Sequence, residues 1–133
     1  MLFRSVGAVA IQSDGKIVVV GGVPGSNSFT VPAVLRFLSN GSLDRTFGTN
    51  GAFVLPNSFG SYSEVAIQTD GKILLGTNGG GVNAEVDRLT STGLLDSSFG
   101  SGGRTLFQDS ELFGMVLQPD GRILAAVPFQ TIR

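Results

Sequence analysis

The sequence repeats itself, and this repetition restricts the fold more than any other feature of the chain. Residues 9–17 (VAIQSDGKI) and 65–73 (VAIQTDGKI) are identical at eight of nine positions, and residues 115–123 (MVLQPDGRI) keep the Gln, Asp, Gly and Ile. A second motif occurs at residues 36–48 (RFLSNGSLDRTFG) and again at 88–100 (RLTSTGLLDSSFG). The spacing of these copies indicates two full repeats of about 53 residues and the first half of a third.

Each repeat has the pattern of a four-stranded antiparallel meander. Short runs of β-branched and apolar residues alternate with tight-turn dipeptides such as Asp14-Gly15 and Asn40-Gly41. No segment shows a sustained 3.6-residue apolar period, so we expect almost no helix. The predicted strands are 5–12, 16–20, 33–38 and 52–55 in the first repeat, and 63–68, 72–76, 84–90 and 104–107 in the second.

Four-stranded sheets repeated at this period predict an all-β fold made of β-propeller blades, which hide sheet edges by radial packing. The Gln-x-Asp-Gly-Lys/Arg-Ile and Leu-Asp-x-x-Phe-Gly motifs resemble the bacterial delta-60 repeat, a predicted propeller repeat, over essentially the whole chain. They are also distantly similar to the NHL-type propeller repeat. The resemblance implies an architecture without an assigned catalytic residue. It also implies an extracellular or cell-surface location, because many proteins with delta-60 repeats are large, exported or surface-attached.

The chain encodes about two and a half blades in a single segment. We predict blade 1 at residues 5–57, blade 2 at 61–109 and a partial blade 3 at 111–133. Closed propellers have roughly four to eight blades. We therefore expect either a piece of a longer protein, which is the favoured alternative, or a ring assembled from several chains. In isolation the chain would expose sheet faces suited to being covered, which predicts self-association.

The composition argues against several functional classes. The chain has no Cys and no His, so thiolate sites are excluded and the commonest metal ligand and general base are missing. We predict no enzyme activity, no cofactor and no metal. Nine basic and ten acidic residues nearly balance, which predicts no nucleic-acid binding. The apolar runs are far shorter than the roughly 20 residues of a membrane span, which predicts no membrane insertion.

Positions that recur in every copy are interpreted as structural. The Asp before each turn glycine is expected to bind nearby backbone N–H groups. Intra-blade ion pairs are predicted between Arg and Asp eight residues apart, and the Phe of each Phe-Gly step is expected to fill the core. The residues concerned are Asp14, Asp70 and Asp120, the pairs Arg36–Asp44 and Arg88–Asp96, and Phe47 and Phe99.

The repeated glutamines leave two alternatives open. Gln12, Gln68 and Gln118 each precede an Asp-Gly turn by one residue. If the first strand of each blade is innermost, their amides would form a ring near the mouth of a central channel. The other alternative is backbone hydrogen bonding within the turn.

Positions that differ between the copies are the better candidates for function. Glu85 and Asp87 replace Ala33 and Leu35 of the first repeat, and alternation places both carboxylates on one strand face. Such a pair can bind a cation or carry out acid–base chemistry. With Arg88 adjacent, solvated charges at a sheet edge are the favoured interpretation. A second acidic pair, Asp109 and Glu111, is interpreted in the same way. The connections at 23–32, which contains Phe29, and at 76–83 also differ, and variable loops often carry recognition.

Three functions remain open on this sequence. The favoured one is a non-catalytic module for protein interaction or structural spacing, within a larger exported or surface bacterial protein. Its partner would be another protein or the remaining blades of a longer chain. The alternative is a small-ligand or glycan-binding propeller, and a fragment of a propeller enzyme is third. The candidate contacts are Gln12, Gln68, Gln118, Phe29, Glu85 and Asp87.

Overall fold

A computed structural model describes residues 3–79, 83–108, 112 and 114–126, and these residues form an all-β structure. They contain ten strands and one short 3-10 turn, Ser26–Ser28. The strands are β1 Ser5–Ile11, β2 Ile17–Pro24, β3 Thr30–Phe37, β4 Ala52–Val54, β5 Ser61–Ile67, β6 Ile73–Gly79, β7 Asn83–Leu89, β8 Arg104–Gln108, β9 Gly114–Leu117 and β10 Ile123–Ala126.

The strands form three antiparallel sheets in simple sequential order. Blade 1 is the sheet β1-β2-β3-β4, blade 2 is β5-β6-β7-β8, and β9 and β10 form a two-stranded hairpin. Each sheet lies within one of the three predicted units. The all-β fold with four-stranded antiparallel sheets, consistent with partial propeller blades, is therefore confirmed.

Blades 1 and 2 have the same strand registers. Val6 pairs with Gly21 as Tyr62 pairs with Thr77, and each first strand is interrupted by an irregularity at the next residue. The third copy follows the same register, because Ile123 faces Leu117 as Ile73 faces Ile67. Structural equivalence between the copies can therefore be assigned strand by strand.

The first hairpin of every copy is closed by the predicted turn. Gly15, Gly71 and Gly121 have φ angles of 87°, 85° and 86°, a left-handed conformation that favours glycine. In each turn the Asp accepts a hydrogen bond at Oδ1 from the backbone N–H two residues later, at 3.0 to 3.1 Å. The turn role predicted for the three aspartates is confirmed.

The sheets pack face to face around β5. β5 contacts β1, β2 and β3 of blade 1 on one side and β9 on the other. The main core lies between blades 1 and 2, and its fully buried side chains come from both, including Val20 and Val34 from blade 1 and Tyr62 and Leu75 from blade 2. Phe47 is fully buried in this core as predicted. Phe99 is half-buried.

The connection between the second and third strands is shorter than predicted. The predicted second strand ends at residue 20, but Gly21 and Gly22 also lie within β2 and pair with Ala33 and Pro32 of β3. Half of the predicted variable loop 23–32 is therefore strand, and residues 25–29 connect β2 to β3. Likewise, β6 continues to Gly79 before the connection to β7, of which residues 80–82 lie outside the described part.

Within the described residues, no helix is long and apolar enough to cross a bilayer.

Candidate binding surfaces

A groove of about 830 Å³ opens between blade 1 and blade 2 on the side of the molecule where the Asp-Gly turns lie. We call it the turn groove. Its lining includes Gln12 and Lys16 from blade 1 and Gln68, Asp70 and Ser91 from blade 2. A smaller groove of about 360 Å³ follows between blade 2 and the third copy, and Gln68 and Gln118 line it. Each pair of neighbouring repeated glutamines therefore shares one groove.

The three glutamines differ in their surroundings. All three accept a hydrogen bond from the turn glycine through the backbone carbonyl. The side chain of Gln12 accepts a further hydrogen bond from Arg36, at 3.4 Å. The Oε1 atom of Gln68 is buried and has no hydrogen-bond partner among the described residues. Backbone hydrogen bonding within the turn, one of the two predicted alternatives, is thus present in every copy. In addition, the side-chain oxygen of Gln68 is an acceptor without a partner among the described residues, and Gln68 lines both grooves.

Arg36 links the two blades at the bottom of the turn groove. Its Nε donates to Asp44 Oδ2 at 2.9 Å, and its Nη1 donates to the backbone carbonyl of Ser91 in blade 2 at 2.7 Å. The guanidinium also lies over the ring of Phe47, 4.6 Å from the ring centroid. The predicted Arg36–Asp44 ion pair is confirmed. Through its bond to Ser91, Arg36 also connects blade 1 to blade 2.

The equivalent pair in blade 2 is also confirmed, and its contacts with the described residues lie within blade 2. Arg88 Nε donates to Asp96 Oδ2 at 2.8 Å, and Lys72 Nζ lies 3.1 Å from the same oxygen. The Ser98 hydroxyl donates to Asp96 Oδ1, and this bond is the main reason why the pKa of Asp96 is lowered. In blade 1, Thr46 lowers the pKa of Asp44 in the same way.

Glu85 and Asp87 are buried, so the interpretation as solvated edge charges is wrong. Glu85 is 7% exposed and Asp87 is fully buried. They do lie on one strand face, as alternation predicts, but this face is turned toward blade 1. Arg104 from β8 binds Glu85 with two hydrogen bonds, at 2.5 and 2.9 Å. The Tyr62 hydroxyl donates to Asp87 Oδ2 at 2.7 Å.

These groups belong to a set that changes as a whole between the repeats. We call Tyr62, Thr77, Glu85, Asp87 and Arg104 the polar cluster; they follow one another across the sheet as cross-strand neighbours. The Thr77 hydroxyl donates to the Ser61 carbonyl at 2.8 Å. The equivalent positions in blade 1 all carry nonpolar residues: Val6, Gly21, Ala33, Leu35 and Ala52. Five neighbouring positions that carry nonpolar residues in blade 1 therefore carry polar residues in blade 2.

The pKa values of the cluster follow from its burial. The pKa of Asp87 is raised to about 8, first by burial and then by the neighbouring Glu85 carboxylate, while Tyr62 and Arg104 act against this rise. Burial also opposes ionisation of Glu85, but its hydrogen bonds with Arg104 prevail and lower the pKa of Glu85. Burial and then Asp87 raise the pKa of Tyr62 well above 10.

Blade 1 has an exposed apolar face on the side away from blade 2. Val6, Val9 and Ile11 are 60%, 57% and 72% exposed. Their equivalents in blade 2 are Tyr62, Val65 and Ile67, which belong to or pack against the core shared with blade 1. We call this face of blade 1 the first open face. It is exposed along β1, whereas its middle, at Ala33 and Leu35, is buried.

A second open face lies at the other end of the described residues. Val116 and Leu124 face each other across the β9–β10 hairpin, and each is 59% exposed. The residues equivalent to Leu124 are Val18 in blade 1 and Leu74 in blade 2, and both are fully buried. The two ends of the array therefore expose surfaces that are covered where two blades meet.

Phe29 lies in another exposed patch, between the β2–β3 and β4–β5 connections. Its ring contacts that of Phe59 edge to face, with centroids 5.2 Å apart, and both rings are more than half exposed. Ser28, which precedes Phe29, and Asn57, two residues before Phe59, have positive φ angles of 65° and 55°. Phe29 therefore lines neither of the two grooves that the repeated glutamines line.

The second acidic pair and a metal site are the remaining candidates from the sequence. Asp109 and Glu111 lie outside them. Among the described residues, no group of three or more His, Cys, Asp or Glu side chains is arranged to hold a metal ion. Sequence reasoning missed Tyr62 and Arg104 as partners of the acidic pair. A signal was present in the sequence, because Tyr62 and Arg104 replace Val6 and Ala52 of the first repeat. These two changes accompany the change to the acidic pair.

Comparison with protein families gives one match. Residues 12–47 match the model of a family described as "Domain of unknown function (DUF5122) beta-propeller". The matched segment runs from Gln12 through the Arg36–Asp44 pair to Phe47. Searches of curated proteins and of solved structures give no match. The family match supports a β-propeller repeat family for this chain, and the delta-60 name stays a prediction.

Proposed function

We propose that this chain is a non-catalytic β-propeller repeat module for protein interaction, and that it interacts through its open faces with other blades of the same kind. The carrying observation is the contrast between equivalent side chains. Val6, Val9 and Ile11 are exposed on blade 1, whereas Tyr62, Val65 and Ile67 of blade 2 contact the core. A surface that the fold covers at one position and exposes at the next is suited to another blade.

The hydrophobic effect gives this interaction its driving force. Apolar side chains exposed at more than half of their surface gain free energy when a partner removes them from water. In an array, each repeat is stabilised mainly by its neighbours, so the terminal surfaces are the ones that lack a neighbour. The additional blades would come from the rest of a longer chain or from a second copy. The resemblance to delta-60 repeats supports a larger exported or surface protein of a bacterium.

Light scattering on a sizing column tests the proposal. We expect the full chain to associate as its concentration is raised, because an open face of one copy covers that of another. Val9→Lys places a charge on the exposed β1 part of the first open face and should shift the chain toward the monomer. Leu94→Lys is the matched control, because Leu94 is 59% exposed in a turn outside both open faces. A wild-type monomer at every concentration, or an equal loss in both variants, would overturn the proposal.

Binding of a small polar ligand is the second candidate, and Gln68 favours it. Its buried Oε1 lacks a hydrogen-bond partner among the described residues and lies between two grooves. A buried acceptor without a partner is costly unless a donor reaches it. If the turn groove is a ligand site, a binding ligand should raise the melting temperature of Val9→Lys as much as that of the wild type.

A further inference from the structure

Asp87 is placed where an ionised carboxylate is hard to accommodate. It is fully buried on the face of blade 2 that carries Tyr62 and Leu75, two members of the core shared with blade 1. Its Oδ2 accepts the hydrogen bond from Tyr62. Its Oδ1 has no hydrogen-bond partner among the described residues, and the nearest cationic atom is Arg104 Nε, at 3.8 Å.

The charges of the cluster balance only if Asp87 holds a proton. Arg104 is engaged with Glu85 through two hydrogen bonds, so this pair is neutral by itself. An ionised Asp87 would add one uncompensated negative charge to a buried site, which is strongly unfavourable. A proton on Oδ1 removes this charge and leaves the Tyr62 hydrogen bond in place.

We propose that Asp87 is a proton-dependent latch between the blades: its protonated carboxyl group holds blade 2 against blade 1, and loss of the proton loosens this interface. The charged and titratable groups that face Asp87 are Tyr62 from β5, Glu85 from β7 and Arg104 from β8. From β6 it faces Leu75, and blade 1 contributes Val20, Val34 and Leu55 to the same core.

The latch gives stability a defined dependence on pH. An unfolded Asp titrates near 3.8, whereas burial raises the pKa of Asp87 in the folded chain to about 8. Between these values the folded chain holds a proton that the unfolded chain has released, so raising the pH favours unfolding. We expect the unfolding equilibrium constant to rise by up to about tenfold per pH unit in this window and to level off above it.

Two variants and a control test this dependence in urea unfolding at about pH 5 to 8.5. Asp87→Asn keeps the shape of the protonated side chain and should abolish the pH dependence in this range. Asp87→Leu introduces the residue that the first repeat has at the equivalent position, Leu35, and should also abolish the pH dependence. It replaces Asp87→Asn in the test if that variant does not fold. Asp70→Asn changes an exposed Asp of the same blade and should keep the wild-type profile. A wild-type profile in Asp87→Asn would overturn the proposal.

Tyr62 reports on the interface itself. It is the only tyrosine in a chain without tryptophan, so tyrosine fluorescence reports on this position alone. Burial and Asp87 keep the pKa of Tyr62 well above 10, so its own ionisation does not interfere. In native buffer we expect the wild-type signal to change as the pH passes about 8, and Asp87→Asn to show no change. An unchanged wild-type signal would overturn the latch.

The wild-type chain also allows a direct measurement. Nuclear magnetic resonance of ¹³C-labelled aspartate carboxyl groups gives the protonation of each Asp, and the resonance missing from Asp87→Asn or Asp87→Leu identifies Asp87. We expect its midpoint near pH 8. A midpoint near 4, the value of an ordinary Asp, would overturn the proposal even if both variants unfold.

Discussion

Arg36 and Arg88 occupy equivalent positions, yet their side chains make different contacts. Each binds an Asp eight residues later and lies over a Phe ring, at 4.6 and 4.7 Å from the ring centroid. Arg36 also donates across to the Ser91 carbonyl of the other blade, whereas Arg88 donates to Ser98 of its own. The same motif residue therefore bonds across the blade interface in blade 1 but within its own blade in blade 2.

This difference predicts unequal costs for the same substitution. Arg36→Ala removes the closer cation of the buried Asp44, leaving only Lys16 Nζ at 3.9 Å, and it also removes the bond to Ser91. We therefore expect a loss of about 2–4 kcal/mol in the free energy of unfolding. Arg88→Ala should cost less than half as much, because Lys72 still lies 3.1 Å from Asp96. Urea unfolding of both variants provides the measurement. Equal losses would show that the contact with Ser91 contributes nothing.

Sequence reasoning succeeded for residues whose partners are near in the chain. The ion pairs and the Asp-Gly turns were predictable because each involves residues two to eight positions apart. The surroundings of Asp87 were not, because its partners Tyr62 and Arg104 come from other strands, 25 and 17 positions away. The charge of Glu85 and Asp87 suggested solvent, and only the sheet register brings Arg104 to them.

At the scale of single strands, the two first strands approach each other closely at Gly7. A Cβ atom built at this position would overlap the carbonyl oxygen of Tyr62 in β5. The glycine is therefore required by contact between the backbones of two blades, at the irregularity that follows Val6 in β1. This is a packing constraint that strand propensity alone does not reveal.

Gly7→Ala should weaken the packing of the two blades. We expect a loss of about 1–3 kcal/mol in the free energy of unfolding, because the backbones must separate to admit the methyl group. Gly114→Ala in β9 is the control, since a Cβ atom there has no neighbour within 4 Å. The comparison is made by thermal or urea unfolding. A loss of the same size at Gly114 would point to backbone entropy rather than to the contact.

The order and pairing of the strands were predictable from sequence, but their ends were not. Alternation and the turn dipeptides gave eight strands close to those of blades 1 and 2. The predicted second strand, 16–20, stops short of Gly21 and Gly22, since glycine in general is unfavourable in strands. In the folded chain they pair with β3 and their lack of side chains admits close neighbours, such as the Ser5 carbonyl against Gly21.

At the scale of the whole molecule, the three copies are not equally supported. Blades 1 and 2 share a continuous buried core, whereas the third copy is a two-stranded hairpin that contacts β5 through β9. An isolated pair of strands is marginally stable in water. Stability should therefore decrease from the blades toward the hairpin.

Amide hydrogen exchange of the full chain measures this gradient. We expect the backbone amides of β2 and β6, which are paired on both sides, to exchange most slowly. Those of β10 should exchange far faster, because this strand is paired only with β9 among the described residues. Protection of β10 equal to that of β6 would contradict the gradient and would indicate that the second open face is covered in solution.

The common register of the two blades also has a consequence for the history of the gene. Because equivalent strands pair in the same register, a crossover between the two coding segments leaves every strand with a suitable partner. One recombination event can then add or remove an entire blade without disturbing the backbone hydrogen bonds. Such an event changes the order in which apolar faces, as on blade 1, and polar faces, as on blade 2, follow one another along the array. Point substitutions at these few facing positions then suffice to make neighbouring copies distinct.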